Sequence, residues 1–203
     1  MSSKKKKNLN KHKRLKGRDK KQLGPLEAIK SWFKERHPIV SFLLAFIACM
    51  AVFYLFYYSS FYRNHLELPF LNFQANISSS ILNLFGHNTN VNLTSLAGNE
   101  FSVNIKSGCD GLEAMAIFAS AIIIFPAKSR LKIVGLLWGI TILFILNLLR
   151  IAGLYLVGLN FSQTVFDIMH IQGGFILFTM ISVLLWFIWM NWTVRKTQNL
   201  QQS

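Results

Sequence analysis

Few residues in this 203-residue chain could form or break a covalent bond, because 52% of it is hydrophobic and it has only two cysteines. Cys109 sits in the stretch SGCDGLEA, residues 107–114, between two glycines, with Asp110 and Glu113 close behind and a long apolar run after them. A thiol attacks as its thiolate, and the positive end of a helix dipole favours that charge. Asp110 and Glu113 form an Asp-x-x-Glu capping pair, which predicts a helix starting at Asp110 with Cys109 immediately before it. Gly108 and Gly111 leave the backbone open to a close approach. Cys109 is therefore the candidate nucleophile, against the plainer reading of a small residue at a helix end. Cys49 lies inside another apolar run and reads as packing. The two cysteines are expected at different depths, which argues against a disulfide between them.

Ionisable groups within apolar runs are costly and usually face a cavity or a bundle interior. Arg150 is one, with Asn147 one turn earlier on the same helical face. Two readings fit Arg150. It is the buried partner of Glu113, or it is a fixed cation that stabilises a thiolate and the oxyanion formed on attack, together with backbone amides of residues 108–110. A guanidinium does not readily give up its proton, so Arg150 is not the base. His170 opens a later apolar run, and a lone interfacial histidine is more often structural than catalytic. Asp167, three residues before it, would cap the helix that follows or orient the imidazole. Gly173 and Gly174, one turn on, allow close helix packing. His12, His37, His65 and His87 read as tail or loop residues. One cysteine and one histidine without paired ligand spacing do not support zinc, and no metal or cofactor is expected.

These groups need elements to hold them at one level. Four spans are predicted, at about 38–58, 111–125, 133–159 and 171–189, each strongly apolar and read against a hydrocarbon core of about 30 Å. The charge is uneven. Residues 1–36 hold fourteen Lys/Arg and three Asp/Glu, a net of +11 of the total +14. Within them the stretch MSSKKKKNLNKHKRLKGRDKKQ has few apolar residues and no period, so the tail reads as a disordered polybasic segment lying against anionic lipid; nucleic-acid binding or a targeting signal is the less favoured reading, since a span follows almost at once. The first span has too long a basic lead and no small-residue cleavage site, so it reads as an uncleaved anchor, its end YLFYYSSFY forming an aromatic interface belt. The tail, the PAKSRLK loop and Arg195 with Lys196 carry the basic residues, which predicts that both termini are cytoplasmic. The fold class expected is an all-α, four-helix membrane bundle, with residues 37–192 as the embedded domain and 193–203 as a cytoplasmic tail.

Residues 59–110 then lie outside. Ile77, Ile81, Leu84 and Phe85 recur at helical spacing and predict a short amphipathic helix. Val91 and Leu93 alternate with polar residues, as do Phe101, Val103 and Ile105, with Gly98 and Asn99 between the two runs; this predicts a β-hairpin leading into Cys109. Cys109, Asp110 and Glu113, then Arg150, then Asp167 and His170 all fall near the same membrane face.

Three blocks, SGCDGLEAM (107–115), NLLRIAGLYLVG (147–158) and FDIMHIQGG (166–174), together resemble the exosortase/archaeosortase family of membrane-embedded cysteine transpeptidases, and most of all its compact exosortase H-type members. The resemblance covers roughly residues 60–190. It implies that Cys109 is the nucleophile, Arg150 the electrostatic stabiliser and His170 the acid/base. It also implies exported protein substrates with a C-terminal motif, a transmembrane helix and a basic cluster, cut at the outer face of the cytoplasmic membrane. Many family members have more spans or an added soluble domain, and this sequence shows neither. The rival reading is a non-enzymatic assembly or anchoring protein in which Glu113, Asn147 and Arg150 merely tie the bundle together.

Overall fold

Uninterrupted apolar sequence from Ile39 onward winds into helix α1, His37–Tyr57, in a computed structural model that describes residues 37–202. The polybasic tail expected over residues 1–36 lies outside the described residues. By internal contacts the chain divides after Leu44; the start of α1 falls in the first unit, and Ala45–Ser203 form the second. Within that second unit, a π-helical turn at Tyr62–Glu67 leads into α2, Leu68–Leu84, with Pro69 in its first turn, where a missing N–H costs nothing. Three short strands follow: β1 Asn90–Asn92, β2 Ser95–Ala97 and β3 Ser102–Asn104. Then come α3 Leu112–Ile124, α4 Ser129–Asn160, the short α5 Gln163–Asp167, a second π-helical turn Ile168–Gly173, and α6 Gly174–Gln202.

Three of these helices are long and apolar enough to cross a membrane: Ile39–Tyr57, Ser129–Asn160 and Ile176–Asn199. The span expected at 111–125 is only the 13-residue α3. It is cut at one end by Gly111, which is left-handed, and at the other by Phe125, held extended before Pro126. The last helix runs through Gln202, past the span end expected at 189. Exposed Leu55, Leu137, Trp138, Leu184 and Ile188 give α1, α4 and α6 the apolar outer faces that lipid requires.

The 90–104 region departs from a simple hairpin. Its sheet has three antiparallel strands in the order β1-β2-β3, with Leu96 facing Val91 on one side and Val103 on the other. Gly98 and Asn99 turn the chain between β2 and β3. Leu96, Val103 and Ile105 pack with Leu71, Ala75 and Leu82 of α2 and with Ile151, Ala152 and Tyr155 of α4, forming one core. A second core joins Met115, Phe118 and Ile122 of α3 to Leu143 of α4 and Trp189 of α6. Aromatic rings fill the space that glycines leave: Phe118 lies against Gly139 and Trp189 against Gly135.

Helix α2 forms over the expected apolar spacing and turns a mixed face of polar and apolar residues inward. Leu84 and Phe85 are exposed, Ile77 and Ile81 are half-buried, and Gln74, Ser78 and Ser79 point inward beside Leu71, Ala75 and Leu82. The polar residues go inside because each has a partner. Gln74 Nε2 donates to the Asp110 carbonyl at 2.8 Å, Ser78 Oγ to the Leu148 carbonyl at 3.3 Å, and Ser79 Oγ to the Thr89 carbonyl at 3.1 Å.

Candidate active site

The turn before α3 carries Cys109, the second half of α4 carries Arg150, and the π-helical turn before α6 carries His170. All three meet at one end of the bundle. Cys109 Sγ lies 3.5 Å from His170 Nε2, within hydrogen-bond reach for sulfur. Arg150 Nη2 donates to the His170 carbonyl at 3.2 Å, and its guanidinium sits 5.4 Å over the Phe178 ring. Gly174 makes room for it, since a Cβ there would stand 2.0 Å from Arg150 Nη2. Arg150 Nε and His170 Nδ1 are both buried and have no hydrogen-bond partner among the described residues.

The acidic residues take positions other than those expected. The helix begins after Gly111, at φ +74°, and not at Asp110. Asp110 is fully buried; its Oδ1 accepts the Leu112 N–H at 3.2 Å, and its Oδ2 accepts the Tyr57 hydroxyl at 2.9 Å. Glu113 does not complete a capping box and does not pair with Arg150. Its Oε1 accepts the Tyr54 hydroxyl of α1 at 3.4 Å. Tyr54 and Tyr57 stand on the face of α1 that meets α3, so that tyrosine of the expected interface belt turns inward. Asp167 is exposed and accepts from Gln163 Nε2 at 2.9 Å, so it neither caps the following helix nor bonds the imidazole. Phe166 does contact the imidazole, stacking on it with centroids 5.3 Å apart and planes 11° apart.

Electrostatics favour an uncharged pair. Burial pushes the Cys109 thiol above its ordinary value; the Arg150 charge pulls it back only in part, and Asp110 pushes the same way as burial. Burial and then the Arg150 charge hold the His170 imidazole below its ordinary value, with Asp167 opposing. Burial thus works against the thiolate expected at a helix N-terminus. Two of the turn's backbone amides are engaged within the protein. The Gly108 N–H donates to the Tyr57 hydroxyl at 3.0 Å and the Cys109 N–H to the Lys106 carbonyl at 2.9 Å.

Residues 38–187 match the sequence profile of the transmembrane exosortases. The chain belongs to the transmembrane exosortase family. No curated protein and no solved structure matches it. The candidate site is also held by residues that sequence reasoning missed, namely Tyr57, Gln74, Phe166 and Phe178. Phe166 sits four residues before His170, a helical spacing that could have marked it. Tyr57 and Gln74 reach the site from sequence-distant helices, with no spacing to give them away. Beside the 107–109 turn opens a cavity of about 270 Å³ lined by Tyr57, Tyr58, Tyr62, Arg63, Glu67 and Ser107.

Proposed function

We propose that the protein is a membrane-embedded cysteine peptidase and transpeptidase that cleaves the C-terminal sorting signal of exported proteins. The observation that carries this reading is the 3.5 Å approach of Cys109 Sγ to His170 Nε2, with Arg150 anchored on the His170 backbone. Neutral thiol and neutral imidazole suit a general-base start. His170 Nε2 takes the thiol proton as Sγ attacks the scissile carbonyl, and the carbonyl electron pair moves to oxygen. Arg150 stabilises that oxyanion. Its Nε–H has no partner to give up, and the Gly108 and Cys109 amides are engaged elsewhere. Collapse breaks the C–N bond, and the leaving amine takes the proton from His170. An incoming amine or water, losing a proton to His170, then attacks the thioester and releases Cys109.

The active end of the bundle faces outward and both termini face the cytoplasm in this reading, with α3 as the fourth, short crossing of the cytoplasmic membrane. A substrate whose scissile bond adjoins a transmembrane helix would present it at that depth, with its basic cluster on the cytoplasmic side. The assembly-factor alternative loses its proposed tie, since Glu113 bonds Tyr54 and leaves Arg150 to His170.

The test is replacement of Cys109 by Ala and by Ser in the membrane-inserted protein, following the size of exported candidate substrates. The reading expects loss of processing in the Ala variant and an acyl group on Cys109 detectable by mass spectrometry in the wild type. Unchanged processing in Cys109→Ala would sink it.

A further inference from the structure

Three helices reach in to grip the short turn that bears Cys109. From α1, the Tyr57 hydroxyl accepts the Gly108 N–H at 3.0 Å and donates to Asp110 Oδ2 at 2.9 Å. From α2, Gln74 Nε2 donates to the Asp110 carbonyl at 2.8 Å. From α4, Asn147 Nδ2 donates to the Cys109 carbonyl at 3.1 Å and also approaches Gln74 Oε1 at 3.4 Å. The groups are buried: Tyr57 is 4% exposed, and Gln74, Asn147 and Asp110 are each 0%. Buried amides are expensive, and an apolar residue would pack at these places more cheaply. Their placement is explained if the turn itself must be held.

The hold has a direction. His170 approaches Cys109 from the α6 side, while the clamp draws on α1, α2 and α4. Gly111 fixes the far end of the turn, since a Cβ there would meet Asn147 Cγ at 2.9 Å and a φ of +74° favours glycine. A thiol on a loose loop would not stay at 3.5 Å from a particular nitrogen.

We infer that Tyr57 and Gln74 are positioning residues which, with Asn147, clamp the 108–110 turn so that Cys109 stays in register with His170. The inference rests on the proposed function for its purpose, but its test needs no substrate. In full-length protein in liposomes, with Cys49→Ser so that one thiol remains, the rate of Cys109 alkylation by iodoacetamide is measured against pH. Tyr57→Phe and Gln74→Met are each compared with and without His170→Gln.

In the parent, His170→Gln is expected to change the alkylation rate near neutrality by about tenfold or more, because the imidazole assists removal of the thiol proton. In Tyr57→Phe and in Gln74→Met the same substitution is expected to matter by less than about twofold, since the two side chains no longer keep register. A merely structural role would lower thermal stability and leave the His170 effect intact. A His170 effect of full size in both variants overturns the inference. Should Tyr57→Phe fail to fold, Gln74→Met reads the same coupling. A parent without any His170 effect would overturn the Cys–His pairing and the clamp together, whereas unchanged processing in Cys109→Ala would remove the enzymatic reading alone.

Discussion

Arg150 passes so close over Gly174 that a Cβ at 174 would lie 2.0 Å from Nη2. The guanidinium must therefore move if position 174 gains a side chain. Gly174→Ala is expected to lower transpeptidation by about a hundredfold, the cost of displacing an electrostatic group by about 1 Å. The measurement is substrate processing alongside thermal unfolding. A folded Gly174→Ala protein with wild-type rates would show that Arg150 is not needed where it stands.

Arg150 also sets the pH behaviour. Its positive charge favours the Cys109 thiolate and disfavours the His170 imidazolium. Removing that charge in Arg150→Met raises both proton affinities. Thiolate formation at Cys109, read by iodoacetamide, should then move to higher pH, and the acid limb of activity, which requires neutral His170, should move to higher pH as well. Arg150→Lys keeps the charge and should hold both limbs near their wild-type places, while losing rate because a point charge cannot reproduce the planar fork. Opposite movement of either limb in Arg150→Met would contradict the electrostatic assignment.

Glu113 offers the contrasting case. Its one described hydrogen bond, to Tyr54, is 3.4 Å long and far from Arg150 in role. Glu113→Gln should therefore change activity by less than about threefold and stability by about 1 kcal/mol or less. A collapse of activity in this variant would mean that the carboxylate acts on Arg150 after all.

Phe166 lies flat against the imidazole, 11° from parallel. Phe166→Leu keeps bulk but removes the flat face. The rate constant at saturating substrate should fall by about tenfold with KM little changed, since ring orientation and not substrate binding is affected. An effect on KM alone would assign Phe166 to the substrate instead.

Much of the site was legible because a membrane makes charge conspicuous. Cys109, Arg150 and His170 stand out against apolar sequence, and the structure brings them to one end of the bundle. The supporting residues were harder to read. The Asp-x-x-Glu pattern assumes a helix that starts at the aspartate, but the left-handed Gly111 delays it, which sends the Asp110 carboxylate to Tyr57 and Leu112 and frees Glu113 for Tyr54. In α2 the apolar spacing foretold a helix but not the polar residues on its inner face. Gln74, Ser78 and Ser79 go inward because backbone carbonyls await them, and such partners belong to distant parts of the chain. The sheet was foreshadowed by the alternation at 101–105, but β1 was not separated from β2, since only two residues part them.

The brevity of α3 reaches beyond the protein. Thirteen residues make a helix about 20 Å long, some 10 Å short of an ordinary hydrocarbon core. As the fourth crossing proposed above, α3 would require lipid to thin near it, or water and headgroups to dip toward its ends, and either response is a hydrophobic mismatch whose cost depends on acyl-chain length. On the proposed function, lipid composition would then join the amino-acid sequence in setting how readily a scissile bond meets the thiol. Longer-chain lipids would hold the reacting carbonyl farther from Cys109, and a membrane of suitable thickness would become a condition of the proposed chemistry.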